Sequence, residues 1–168
     1  HKLEKMRFRK LSKIELEALS EELIQFLVVQ GIDDDLWREI NKESPENAEE
    51  LIVLFSDTVL QKVYSKVEYL SFVSEQVFSI FRIDGEDMEA IVIKNKSKAD
   101  AFENLQSVID RTTKSTKGYE IFSAKRSLGD QILDEIHTLT EKGCLVADQE
   151  IWKYFSQFHK NLSNKASF

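Results

Sequence analysis

The residue pattern predicts an α+β fold: N-terminal helices, a small antiparallel hairpin-based sheet of about three strands, and a C-terminal helix pair. Two observations carry this. Apolar residues recur at helical spacing up to about residue 70, then alternate with period two around Asp84 and Gly85, and return to helical spacing after Ser127. The strands cluster between helices and do not alternate with them, which disfavours a parallel, doubly wound sheet.

Each element has a local reason. Ser12 followed by Glu15 forms a capping box, and Leu16, Leu19, Leu23 and Phe26 or Leu27 then continue as one helix to a glycine stop at Gly31. Asp33, Asp34 and Asp35 precede Leu36, Trp37 and Ile40, which reads as a short helix with acid in its first turn, where the helix dipole favours it. Ser44 and Pro45 start the longest helix, since a proline at the first helical position loses only an N–H that would be unpaired anyway. Its apolar stripe runs Ala48, Ile52, Phe55, Val59, Val63, Val67 and Leu70. Phe78 and Ile80 on one face, with Val77, Phe81 and Ile83 on the other, predict a strand that turns at Asp84–Gly85 into a second strand, Met88 to Ile93. Ser97 is the expected cap of a helix carrying Phe102, Leu105 and Val108 or Ile109, and the run from Arg111 to Gly118 reads as a mobile loop. Tyr119 to Ala124 alternates as a third strand, Ser127 opens a helix ending at Gly143, Cys144 to Val146 is a short apolar link, and Asp148 caps a final helix. Residues 6–162 read as a single domain, the five residues before Met6 as an expression remnant or disordered start, and 163–168 as a frayed tail.

Composition narrows the function classes. The chain has 168 residues, 42% hydrophobic and 32% charged, with a formal net charge of -7. The acidic balance argues against nucleic acid as a default partner, because duplex binding needs a dense basic face. A single cysteine, Cys144, excludes an internal disulfide framework and a four-thiol zinc site, and points to a reducing, cytoplasmic compartment. No apolar stretch approaches the length of a membrane span, so neither membrane insertion nor secretion is expected.

The segments MRFRKLS from Met6, EELIQFLVVQGID from Glu21, ENAEELIVLFSD from Glu46, YEIFSAKR from Tyr119 and EKGCLVADQEIWK from Glu141 together resemble a bacterial domain of unknown function, over nearly the whole chain. The resemblance implies a short, single-domain cytoplasmic protein. It brings no activity, cofactor or site residue with it.

Residue by residue, no catalytic, cofactor-binding or metal site is expected. There is no glycine-rich phosphate loop, nucleophile elbow, H-E-x-x-H or C-x-x-C. Asp33 to Asp35 lack the ligand alternation of a calcium loop, and Asp84, Glu86 and Asp87 read as a solvated turn. His137, Cys144 and His159 match no zinc spacing, and the apolar neighbours of Cys144 suggest an inert thiol.

Two features remain as candidate contact surfaces. Between residues 94 and 126, Lys94, Lys96, Lys98, Arg111, Lys114, Lys117, Lys125 and Arg126 outnumber four acids, and would form a basic rim for phosphate or nucleic acid if the loops flanking the Ser97 helix lie together. Arg7, Arg9 and Lys10 could extend it. Trp37, Trp152, Phe155 and Phe158 sit on short or terminal helices, where they either complete the core or anchor a dimer or partner. The leading expectation is thus a non-enzymatic interaction or regulatory module that self-associates. A nucleic-acid or ribosome-associated accessory protein comes second, and an enzyme with an unrecognised site third.

Overall fold

Helical stripes and period-two runs do form, and contacts gather them into two compact units, one ending at Ser65 and one starting at Lys66, within the span read above as one domain. The structure is a computed structural model and describes residues 6–166, with side chains to Ser163. The expectation for the first five residues lies outside those described, as do residues 167–168 of the tail.

The first unit is helical: α1 (Lys13–Ala18), α2 (Ser20–Val29), α3 (Asp34–Glu43) and α4 (Pro45–Ser65). The Ser12–Glu15 capping box forms as its spacing requires, and Asp33 caps α3 by accepting the Leu36 N–H at 2.8 Å. One difference is a break at Leu19, whose backbone leaves the helical region, so two helices replace the expected one. The extended segment before α1 is pinned to α4. Asp57 accepts the backbone N–H groups of Arg7 and Phe8 at 2.8 and 3.0 Å, and buried Ser56 accepts that of Leu11 at 3.0 Å while donating to the Ile52 carbonyl. Phe8 meets Tyr64 edge to face, and Phe26 packs on Phe55. A buried hydroxyl with both roles satisfied is what allows a serine inside an apolar stripe.

The second unit is built on a sheet with five antiparallel strands, where about three were expected: β1 (Tyr69–Val73), β2 (Val77–Asp84), β3 (Asp87–Asn95), β4 (Tyr119–Ser127) and β5 (Leu145–Val146), in the order β4-β3-β2-β1-β5. Both additions have a physical reason. Val67 and Leu70 prolong the α4 stripe at helical spacing, yet α4 ends at Ser65 and Leu70 is a strand residue paired with Phe81. The link Cys144 to Val146 becomes β5 because β1 offers it an edge, pairing Leu70 with Val146 and Ser71 with Leu145. The hairpin forms as expected, with Asp84 opposite Asp87 and Gly85 at φ +61, the sign its first loop position needs.

Three helices complete the unit: α5 (Leu105–Lys114), α6 (Ile132–Glu141) and α7 (Gln149–Ala166). α5 starts later than expected. Asn104, not Ser97, is its cap, through a reciprocal box with Ser107, and Arg111 to Lys114 are its last turn, which confines the expected mobile loop to 115–118. Asp148 caps α7 as its position suggested, accepting the Ile151 N–H at 3.0 Å. α7 extends to Ala166, beyond the expected start of the tail.

Strand register sorts the sheet into two faces. Cross-strand partners share a face, so Val73, Phe78, Ile93 and Ile121 line up, as do Ile80 and Ile91. That face carries the main core, where Phe78, Ile80, Ile91 and Ile93 pack with Phe102, Val108, Trp152, Phe155 and Phe158 from the α5 and α7 segments. Each such side chain contributes on the order of 1.5–3 kcal/mol by leaving water. On the opposite face lie Phe72, against which a Cβ at Gly143 would press, and Arg126, which reaches Glu135 of α6 at 3.2 Å.

Candidate functional site

The nucleophile and metal candidates are dispersed. Cys144 is buried, and desolvation pushes its thiol above the ordinary value, the wrong direction for an activated nucleophile. His137 lies on α6 and His159 on α7, helices that border opposite faces of the sheet. Among the described residues no group of three His, Cys, Asp or Glu is placed to hold a metal ion. Asp33 spends its carboxylate on the α3 cap, and Asp35 reaches Arg38 at 3.4 Å.

The aromatic candidates divide. Trp152, Phe155 and Phe158 are 7%, 0% and 7% exposed, and lie in the core beneath the sheet. Phe155 stacks tilted on Phe78 with centroids 4.4 Å apart. Above Trp152, at 5.6 Å, sits the guanidinium of Arg82, which pairs with Glu89 at 3.0 Å beside an open groove along α7. Trp37 instead lines a separate apolar recess with Leu23, Ile24, Leu27 and Ile32, rimmed by Asp33 and Asp34.

Basic residues gather at one end of the β3–β4 pair more than at the other. The loops flanking α5 do lie together: the Lys96 N–H donates to the Gly118 carbonyl at 2.9 Å, and the Lys96 ammonium lies 3.5 Å from Glu120. Lys94, Lys98, Lys114 and Lys117 are exposed around this junction, with Lys94 over the Phe122 ring at 5.4 Å. Arg111 has a different task. It binds the carbonyls of Asp100 and Ala101 and the Asp100 carboxylate, and lies over Phe102, so it pins the segment before α5. Lys125 and Arg126 belong to the far end of β4, facing Asp87 at 4.0 Å and Glu135 at 3.2 Å. The rim is therefore divided: pairing Asn95 with Tyr119 and Met88 with Arg126 puts a strand's length between the two groups.

A row of unfilled backbone bonding capacity lies along β4. β4 is an outer strand, paired on one side only, with β3. Its ladder phase is set at both ends, by Lys96 N–H to Gly118 O and by Leu128 N–H to Glu86 O. In an antiparallel ladder alternate residues bond to a given neighbour, so Glu120, Phe122, Ala124 and Arg126 use their amides and carbonyls inward. Tyr119, Ile121, Ser123, Lys125 and Ser127 turn theirs outward. From Phe122 to Ser127 every residue is exposed, and Phe122 is 43% exposed. The strand holds no proline. Sequence reasoning found this strand and missed its edge, because edge position depends on how the other strands order themselves.

No helix among the described residues is long and apolar enough to cross a membrane. No curated protein and no solved structure matches the chain. A family model does match it, over residues 6–160, and since that span is most of the sequence, the chain belongs to the family of unknown function DUF6495.

Proposed function

We propose that this protein is an interaction module that engages partners by strand addition at the β4 edge. The carrying observation is the outward row of N–H and C=O groups on a nine-residue strand with exposed residues at its outer half. Main-chain bonding along such an edge supplies affinity, and the side chains flanking it supply selectivity. The unpaired thiol of Cys144 supports a reducing, cytoplasmic setting.

The test is a displayed library of extended peptides panned against the wild-type chain and against Ser123→Pro. Ser123 points its N–H outward, so proline there removes an edge donor and leaves the β3 ladder intact. Peptides enriched on the wild type and lost on Ser123→Pro are the expected result. Equal enrichment on both, or none on either at concentrations where the wild-type chain is monomeric, refutes strand addition.

The junction of the two α5-flanking loops favours a second reading, in which Lys94, Lys98, Lys114 and Lys117 with Phe122 contact phosphate or single-stranded nucleic acid. Binding of a random oligonucleotide that falls steeply with salt supports it, and no binding at low salt removes it. The Trp37 recess is a further contact candidate for a protein partner.

A further inference from the structure

We propose that the partner of the β4 edge is the β4 edge of a second copy of this chain, antiparallel about a two-fold axis at Ser123, so that two sheets join into one. The inference rests on the strand-addition reading above and names its occupant.

Symmetry and ladder phase limit the choices. A two-fold axis perpendicular to the sheet keeps each face on its own side, so odd positions of β4 must pair with odd positions of the partner. Those odd positions are the ones whose amides and carbonyls point outward. Centring on Ser123 uses the whole strand and about ten inter-chain backbone bonds, counted from five outward residues on each copy. It sets Tyr119 against the partner's Ser127, Ile121 against the partner's Lys125, and Phe122 against the partner's Ala124.

Charge selects the same register. Glu120 then lies opposite the partner's Arg126, twice by symmetry, in non-hydrogen-bonded pairs, where side chains approach most closely. Both side chains are 56% exposed, Glu120 bridged to exposed Lys96 and Arg126 to half-buried Glu135, and so are accessible to a second partner. Sliding the centre to Phe122 or Ala124 leaves neither charge opposite its complement and shortens the ladder. Parallel pairing of two β4 edges needs a two-fold axis along the strands, which turns one copy's faces over and sets equal positions on opposite faces, so the pleats of the two strands do not match.

The fold also limits growth. β5, at the other end of the sheet, has two residues and offers little for a further strand. Antiparallel pairing of β4 consumes the long edge of each copy, so assembly closes at a dimer.

The experiment is light scattering on the full chain over a concentration series, for the wild type, Ser123→Pro, Glu120→Arg, Arg126→Glu, and an equimolar mixture of the last two. A wild-type mass of twice the 19.5 kDa protomer is expected, with Ser123→Pro monomeric. Each charge variant alone sets like charges across both pairs and weakens the dimer about tenfold. Mixing them restores opposite charges at both pairs and recovers the dimer, a rescue that misfolding would not produce. A wild type monomeric at every concentration overturns self-pairing, and the peptide library then judges strand addition by itself. A dimer indifferent to Ser123→Pro and to both charge variants overturns the inference, because the copies meet elsewhere. A dimer lost in Ser123→Pro, with the two charge variants not rescued by mixing, overturns the register about Ser123.

Discussion

Phe155→Ala separates the core role of the terminal helix from an interface role. The ring is 0% exposed, 4.4 Å from the Phe78 centroid and 4.9 Å from that of Tyr154. Truncating a fully buried phenylalanine costs about 3–5 kcal/mol, made up of lost transfer energy and the cavity left between β2 and α7. Domains hold about 5–15 kcal/mol, so the variant is severely weakened, and Phe155→Leu gives a milder companion at about 1.5 kcal/mol. Urea unfolding followed by Trp152 fluorescence in a Trp37→Phe background reads the second unit alone. The midpoint should fall sharply with an unchanged slope, which reports the same surface exposed on unfolding. Phe122→Ala is the control: at 43% exposure, with its ring under Lys94, it should cost less than about 1 kcal/mol. A Phe155→Ala chain with an unmoved midpoint and a reduced solution mass would refute the core assignment and make Phe155 an interface anchor.

Three further outcomes follow from the local chemistry. Arg9 holds Glu15 in a two-pronged ion pair, at 2.8 and 2.9 Å, and with the Ser12 amide lowers its pKa from 4.5 to about 2. Because the folded value is depressed, this stabilisation is present above pH 4.5 and is lost as pH falls toward 2; Glu15→Gln should flatten that part of the stability curve, by about 1 kcal/mol or less for so exposed a pair. Cys144, with its thiol pushed up by burial, should alkylate more slowly than a free cysteine at neutral pH and react freely in denaturant; an inflection below the free-thiol value would refute this. Arg111→Ala should cost roughly 1–2 kcal/mol through lost charged hydrogen bonds, and speed amide exchange across residues 97–103, whereas unchanged exchange there would deny Arg111 its pinning role.

Short-range chemistry was legible in the sequence where it is self-contained. The Ser12–Glu15 box, the acidic start of α3, the Ser44–Pro45 start, the Gly85 turn and the Asp148 cap are each decided within a few residues, and each forms. The pattern is ambiguous where two local solutions compete. Val63, Val67 and Leu70 keep helical spacing across the end of α4, so β1 was hidden, although Tyr69, Phe72 and Val73 are residues strands favour. Ser97 and Asn104 both offer caps, and the choice falls to Asn104 because Ser107 returns its bond and Arg111 anchors the intervening segment. β5 has no signal of its own, since two residues become a strand only when an edge is beside them.

The candidate site illustrates the same limit at larger range. Tyr119 to Ala124 alternates in a way that signals a strand, and Tyr119 and Ile121 do turn toward the core. Nothing in that alternation tells whether the strand is central or outermost. That is decided by β1 and β5 assembling on the other side of β2, which leaves β4 with one neighbour. Natural edges are usually guarded by charge, and Lys125 and Arg126 do guard the far end of β4 against indiscriminate pairing. Glu120, on the same face as Arg126, changes what the guard admits: a strand that carries an acid opposite Arg126 and a base opposite Glu120 is welcomed, and the sequence of β4 run backwards is such a strand.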